Sequence, residues 1–166
     1  MSGLVQIVLV LVISACISCG NNGNNVKNER QSQSYKKNDF NNKEFVNNLL
    51  DSAIIGKDEK AYSKASTLYF LANSSNDFFY YAFIMALQNN SSEGYFNLYE
   101  IIAYSSFHAP NETFKNMHPK IKSFAFYSLL KSHEMGNERA IHEIAAHFDT
   151  TRVLPSAESF LKVVFK

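Results

Sequence analysis

Only two of the 166 residues are cysteine, Cys16 and Cys19, and both precede position 20. The remainder of the chain therefore has no disulfide, no thiolate metal site and no thiol nucleophile. Glycine is scarce as well. Of six, only Gly56, Gly94 and Gly136 lie beyond residue 23, too few for a glycine-rich phosphate cradle. An excess of one charge is missing: 16 Lys and Arg stand against 15 Asp and Glu, and a net charge of +1 gives no field that draws nucleic acid. No Gly-x-Ser-x-Gly elbow occurs, and no apolar run approaches the about 20 residues a spanning helix needs. Tryptophan is absent, yet 14 Phe and 9 Tyr contribute to a composition that is 46% hydrophobic, enough to build a core and to exclude wholesale disorder.

Leu4 to Ile13 is apolar except for Gln6, and Ser14-Ala15-Cys16 follows, with Ile17-Ser18-Cys19 directly behind. A run this short reads as a signal-peptide core. Small residues immediately before a Cys resemble the lipobox of bacterial lipoproteins, whose leader is cut before a Cys that then carries a diacylglycerol. The pattern fits at Cys16 and at Cys19, somewhat better at Cys16. Gly20 to Asn42 is rich in Asn, Gln, Ser and Lys and almost free of apolar residues before Phe40. Such a composition reads as a flexible tether. The expected organisation is a leader over 1–18, a polar tether over 19–42, and a folded domain over 43–166.

Within 43–166 apolar or small residues recur at i, i+3, i+4 and i+7, the mark of one buried helix face. Seven sets follow one another: Val46, Leu49, Leu50 and Ala53; Tyr62, Ala65, Ser66 and Tyr69; Tyr80, Phe83, Ile84 and Leu87; Tyr95, Leu98, Tyr99 and Ile102; Phe126, Leu129, Leu130 and His133; Ile141, Ile144, Ala145 and Phe148; Ala157, Phe160, Leu161 and Val164. No segment alternates with period two, so the fold class is all-α. Gly56 and Gly136 stand where left-handed C-caps are needed. Asp58 and Asn137 can cap the helices behind them, Pro119 and Pro155 suit first turns, and Asn73-Ser74-Ser75-Asn76 reads as a turn.

Paired helices start 34, 46 and 31 residues apart, with the stretch from Phe107 to His118 lengthening the middle gap. A period in the thirties with paired helices predicts a short α-solenoid of about three helix-turn-helix units plus a C-terminal helix. Lys131-Ser132-His133-Glu134-Met135-Gly136-Asn137, followed by Ala140, Ile144, Ala145 and Phe148, resembles the Sel-one-like variant of the tetratricopeptide repeat, with His133 where that family has a small residue. The likeness extends over roughly Phe126 to Leu161. It implies a superhelical scaffold that binds proteins or peptides and implies no catalysis.

Chemistry is sparse in the pattern. His142 and His147 are five residues apart, which sets their rings about 140° apart on a helix, too far to share one zinc; they read as surface histidines beside an Ile141/Phe148 core face. Glu100, Glu134 and Glu143 sit singly on their helices. No catalytic residue, metal or cofactor is expected. Phe78-Phe79-Tyr80-Tyr81-Ala82-Phe83 puts rings around a whole helix, and Tyr95, Phe96, Tyr99, Tyr104 and Phe107 follow. Phe79, Tyr81, Phe96, Tyr99 and Tyr127 are the candidates for a partner-binding wall, because tyrosine offers area, a polar tip and few rotors. His108 and His118, bracketing the 107–118 loop, are candidates for a second contact. Residues 45–114 carry three basic against seven acidic side chains, an imbalance suited to steering a basic partner.

Together these features predict a lipid-anchored, non-enzymatic, protein-binding domain on a bacterial envelope, most naturally an outer-membrane or periplasmic one, whose partner is a secreted toxin that it neutralises. A scaffold for envelope assembly has the same features with a different partner. A small-ligand or hydrolytic role would instead need a deep pocket with convergent polar groups.

Overall fold

A computed structural model describes residues 37–104 and 114–165, and every regular element among them is helical. In chain order these are α1 (Lys37–Asn41), α2 (Lys43–Ile54), α3 (Glu59–Leu71), a 3-10 turn (Ser75–Phe78), α4 (Phe79–Leu87), α5 (Ser92–Tyr104), α6 (Pro119–Glu134), α7 (Glu138–His147) and α8 (Ala157–Val164). The seven periodic sets fall on α2 to α8. The leader with Cys16 and Cys19, the tether through 36, and loop positions 107–113 with His108 lie outside the described residues. None of the described helices is long and apolar enough to cross a membrane.

At α2, α3, α5 and α7 the start of the helix is marked by a short polar side chain that takes up unpaired amides. Asn42 Oδ1 accepts from the Phe45 amide at 3.1 Å, and Asp58 Oδ1 from Lys60 and Ala61 at 2.8 and 3.1 Å. Ser91 Oγ accepts from Gly94 at 3.0 Å, and Asn137 Oδ1 from Arg139 at 3.0 Å. Pro119 opens α6 as expected, whereas Pro155 lies ahead of α8, whose N-cap is Ser156. Gly136 takes the left-handed conformation at φ +83°; after α2 that role belongs to Lys57 at φ 54° and not to Gly56. The polar turn after α3 is present, with Asn73 also left-handed at φ 57°.

Two of these caps also join alternate helices, α5 to α3 and α7 to α5. Ser91, ahead of α5, donates its hydroxyl to Glu59 Oε2 in the first turn of α3 at 2.9 Å. Asn137, ahead of α7, donates Nδ2 to Glu93 Oε2 in the first turn of α5 at 3.0 Å. The same stitch thus recurs, cap to preceding first-turn glutamate. Glu59, Glu93 and Arg139 stand 34 and 46 residues apart, the spacings read from the periodicity.

Packing follows the chain closely. α2 lies on α3, α4 on α5, α5 on α6, and α6 on both α7 and α8. Tyr62, Leu68, Phe78, Met85, Leu98, Tyr99, Leu129, Leu130 and Ile144 form the fully enclosed core. α1, which the composition assigned to the tether, docks through Phe40, whose ring meets Tyr69 edge-on at 4.9 Å.

Two helices turn differently from expectation. On α4 the buried residues are Ala82, Met85 and Ala86, not Tyr80, Phe83 and Leu87. The cause is a close crossing: a Cβ on Gly94 of α5 would come within 2.6 Å of the Ala86 amide nitrogen. Only small side chains fit where backbones approach so nearly, so the bulky residues of α4 rotate outward. On α7 the buried pair is Ala140 and Ile144, while Ile141 and Ala145 are exposed.

Candidate functional site

α4 reads FYYAFIMAL and contains no charged residue. Burying its small-residue stripe leaves Phe79, Tyr80, Phe83 and Leu87 exposed by 37, 66, 40 and 43%. At 100° per residue these four positions fall within a sector of about 100°. They form one apolar face, on which the Phe79 and Phe83 rings stack at 6.3 Å. Contiguous exposed apolar surface is the kind of feature by which protein interaction sites are recognised. The aromatic side chains supply large contact area with few rotors, and Tyr80 adds a hydroxyl at its outer edge. Docking on this helix desolvates no charge of its own.

Of the residues expected to form a binding wall, Phe79 lies on this face. Tyr81 is half-buried, its ring 5.8 Å from Phe78 and 6.1 Å from Tyr69. Phe96, Tyr99 and Tyr127 are interior, exposed by 2, 0 and 8%, and offer a partner no open ring face. Their positions are filled from within. The Arg139 guanidinium lies 4.3 Å from the Phe96 ring centre, and Tyr127 meets Tyr95 edge-on at 5.9 Å. Tyr99 is enclosed by Tyr104, Phe114 and His147. His118 is an exposed helix cap, its Nδ1 accepting from the Lys120 amide at 3.3 Å. His108 is outside the described residues.

A polar cluster forms where α5 meets α7. Tyr99 Oη lies 2.6 Å from His147 Nε2 and 3.1 Å from Glu143 Oε2, while Tyr104 donates to the same Glu143 oxygen at 2.7 Å. Burial raises both phenols above the ordinary tyrosine range, so each keeps its proton and acts as a donor. Burial also lowers the His147 imidazole, opposed by the Glu143 carboxylate, and its Nε2 shares a hydrogen bond with Tyr99 Oη. His147 is exposed, as a surface histidine should be, and one side of its ring packs against Phe114 and Phe126 at 5.5 and 5.4 Å. His142 is exposed one and a half turns away. The arrangement fixes α7 to α5 and presents no activated nucleophile. Among the described residues no group of three or more His, Cys, Asp and Glu is placed to hold a metal.

Sequence reasoning missed Arg139, Glu93 and Glu143, because each meets partners 39 to 46 positions away. The repeat spacing was the one signal that could have paired Glu93 with Arg139. Measured against protein-family models, curated proteins and solved structures, the chain matches none.

Proposed function

We propose that this chain is a membrane-tethered, non-catalytic helical-repeat module that binds a protein partner and acts by occluding it. The observation that carries the reading is the uncharged face of Phe79, Tyr80, Phe83 and Leu87 left in water by the close α4–α5 crossing. The recurring cap-to-glutamate stitch, Ser91 to Glu59 and Asn137 to Glu93, supports successive units of a short α-solenoid. The lipobox-like leader and polar tether support placement on a bacterial envelope, with Cys16 or Cys19 acylated. In this setting the partner is a secreted toxin, which the module neutralises by covering its working surface.

The test is capture by the full chain from secreted and envelope fractions of its own organism. Recovery of one stoichiometric secreted protein, toxic alone and harmless when bound, supports the reading. Recovery of resident envelope proteins instead makes the module an assembly scaffold, and no recovery at all contradicts protein binding.

A further inference from the structure

A second concave surface lies on different helices. A cleft of about 570 Å³ is walled by Glu59, Ser63, Thr67 and Phe70 of α3, Glu93 and Glu100 of α5, and Arg139 of α7. Arg139 already displays what the cleft can hold. Its guanidinium lies over the Phe96 ring and is gripped by Glu93 Oε1 at 2.6 Å and by both oxygens of Glu100 at 2.6 and 2.7 Å. Glu59 is a third carboxylate in the cleft beside this one cation, and with the Glu100 carboxyl pushed up to about 7 by burial the surplus near neutral pH lies between one and two negative charges. Glu59 has the Ser91 hydroxyl on Oε2 and no cation among the described residues.

The interior beneath the α5 carboxylates carries a further sign. Asn97 lies between Glu93 and Glu100 on the same face of α5 and is wholly buried. Its Nδ2 donates to Tyr62 Oη at 3.0 Å, and its Oδ1 has no donor among the described residues. Tyr62 sits amid the carboxylates: Glu93, Glu59 and Glu100 all add to the upward push that burial gives its phenol. A buried amide oxygen without a donor lies beneath carboxylates that themselves favour N–H donors, so the polar demand on this side of α5 is for donors. At one end Phe70 and Leu71 supply an apolar shelf.

We propose that this cleft binds a basic segment of a protein partner, with a Lys or Arg side chain entering among Glu59, Glu93 and Glu100 and a neighbouring apolar side chain resting on Phe70 and Leu71. The inference is independent of the α4 face. Specificity comes from the combination, since the carboxylates select the cation and the shelf distinguishes a peptide from a bare polyamine.

The experiment titrates the full chain, ¹⁵N-labelled, with Ac-Leu-Arg-Arg-Leu-NH₂, Ac-Gly-Arg-Arg-Gly-NH₂, Ac-Leu-Glu-Glu-Leu-NH₂ and spermidine. Expected are saturable shifts of the amides over 59–71 and 93–100 with the first peptide, at least threefold weaker binding of the glycine peptide, and none of the acidic one. Glu59→Gln, which keeps an acceptor for Ser91, should weaken binding about threefold. Ser63→Lys, which adds a positive charge to an exposed wall position, should weaken it tenfold or more. Asn48→Lys, an equal charge on exposed α2, should leave it unchanged. Equal weakening by Asn48→Lys, spermidine binding as tightly as the leucine peptide, or no saturable shift in the cleft would each overturn the proposal.

Discussion

Gly94 of α5 and Ala86 of α4 approach so closely that a Cβ on the glycine would lie 2.6 Å from the Ala86 amide nitrogen and 2.9 Å from the Met85 carbonyl carbon. Both obstacles are backbone, so rotamer changes cannot relieve the clash. Gly94→Ala should force α4 and α5 apart and cost about 2–3 kcal/mol, read from urea unfolding followed by far-ultraviolet circular dichroism. Gly136→Ala is the contrasting case. Nothing lies within 4 Å of its Cβ position, and only the φ of +83° opposes it, so the loss should be about 1 kcal/mol. Equal losses at the two sites would contradict the close crossing.

The recurring stitch makes a prediction about Asn137. Its side chain accepts from two amides of α7 and donates to Glu93 across the interface. Asn137→Ala removes cap and stitch together and should cost about 1–2 kcal/mol. Asn137→Asp keeps the cap but sets a carboxylate against Glu93, so it should recover only part of that loss. Full recovery would show that the contact to Glu93 has no energetic weight.

The same crossing explains how far the amino-acid pattern could be read. Sets on α2, α3, α6 and α8 meet the core largely as the i, i+3, i+4, i+7 rule requires, whereas α5 is buried on most sides, from Gly94 through Tyr99 and at Ile101 and Ala103. α4 has no polar side, so periodicity could not orient it. The telling residues were its small ones, Ala82 and Ala86, which fit under Gly94 where Tyr80 and Phe83 cannot. For a like reason Phe96, Tyr99 and Tyr127, assigned to an open wall, are interior: a ring shows what it can pack against and not which neighbour arrives. Arg139 with Glu93 and Glu100, and Tyr99 with His147, depend on how helices dock, which no local spacing encodes.

Two titrating groups should bend the stability profile in opposite directions. Burial pushes the Glu100 carboxyl up from 4.5 to about 7, against the pull of Arg139. The folded state then holds this proton longer than the unfolded one, so stability falls as pH rises from about 4.5 to about 7. His147 is lowered from 6.5 by burial. The unfolded state binds that proton more readily, so stability falls as pH drops through the region below 6.5. Glu100→Gln should remove the first slope and leave the second, giving a protein that loses stability only on the acid side. A profile unchanged by Glu100→Gln would contradict the assignment.

Arg139 is the brake on the Glu100 shift, being the group that favours its ionised form. In Arg139→Ala the Glu100 carboxyl should titrate at still higher pH, followed through its side-chain ¹³C resonance. A downward move would mean that Glu93 and Arg139 contribute to the site in a different way from the one the 2.6 and 2.7 Å contacts describe.

The most direct test of protein binding is a comparison of partner capture by the wild-type chain and by Tyr80→Ser/Phe83→Ser. Both side chains are exposed and neither fills the core, so helicity and unfolding midpoint should hold within about 1 kcal/mol. The account predicts that capture of the partner falls at least tenfold while the fold persists. Undiminished capture by the double variant would contradict the assignment of the α4 face as the recognition surface.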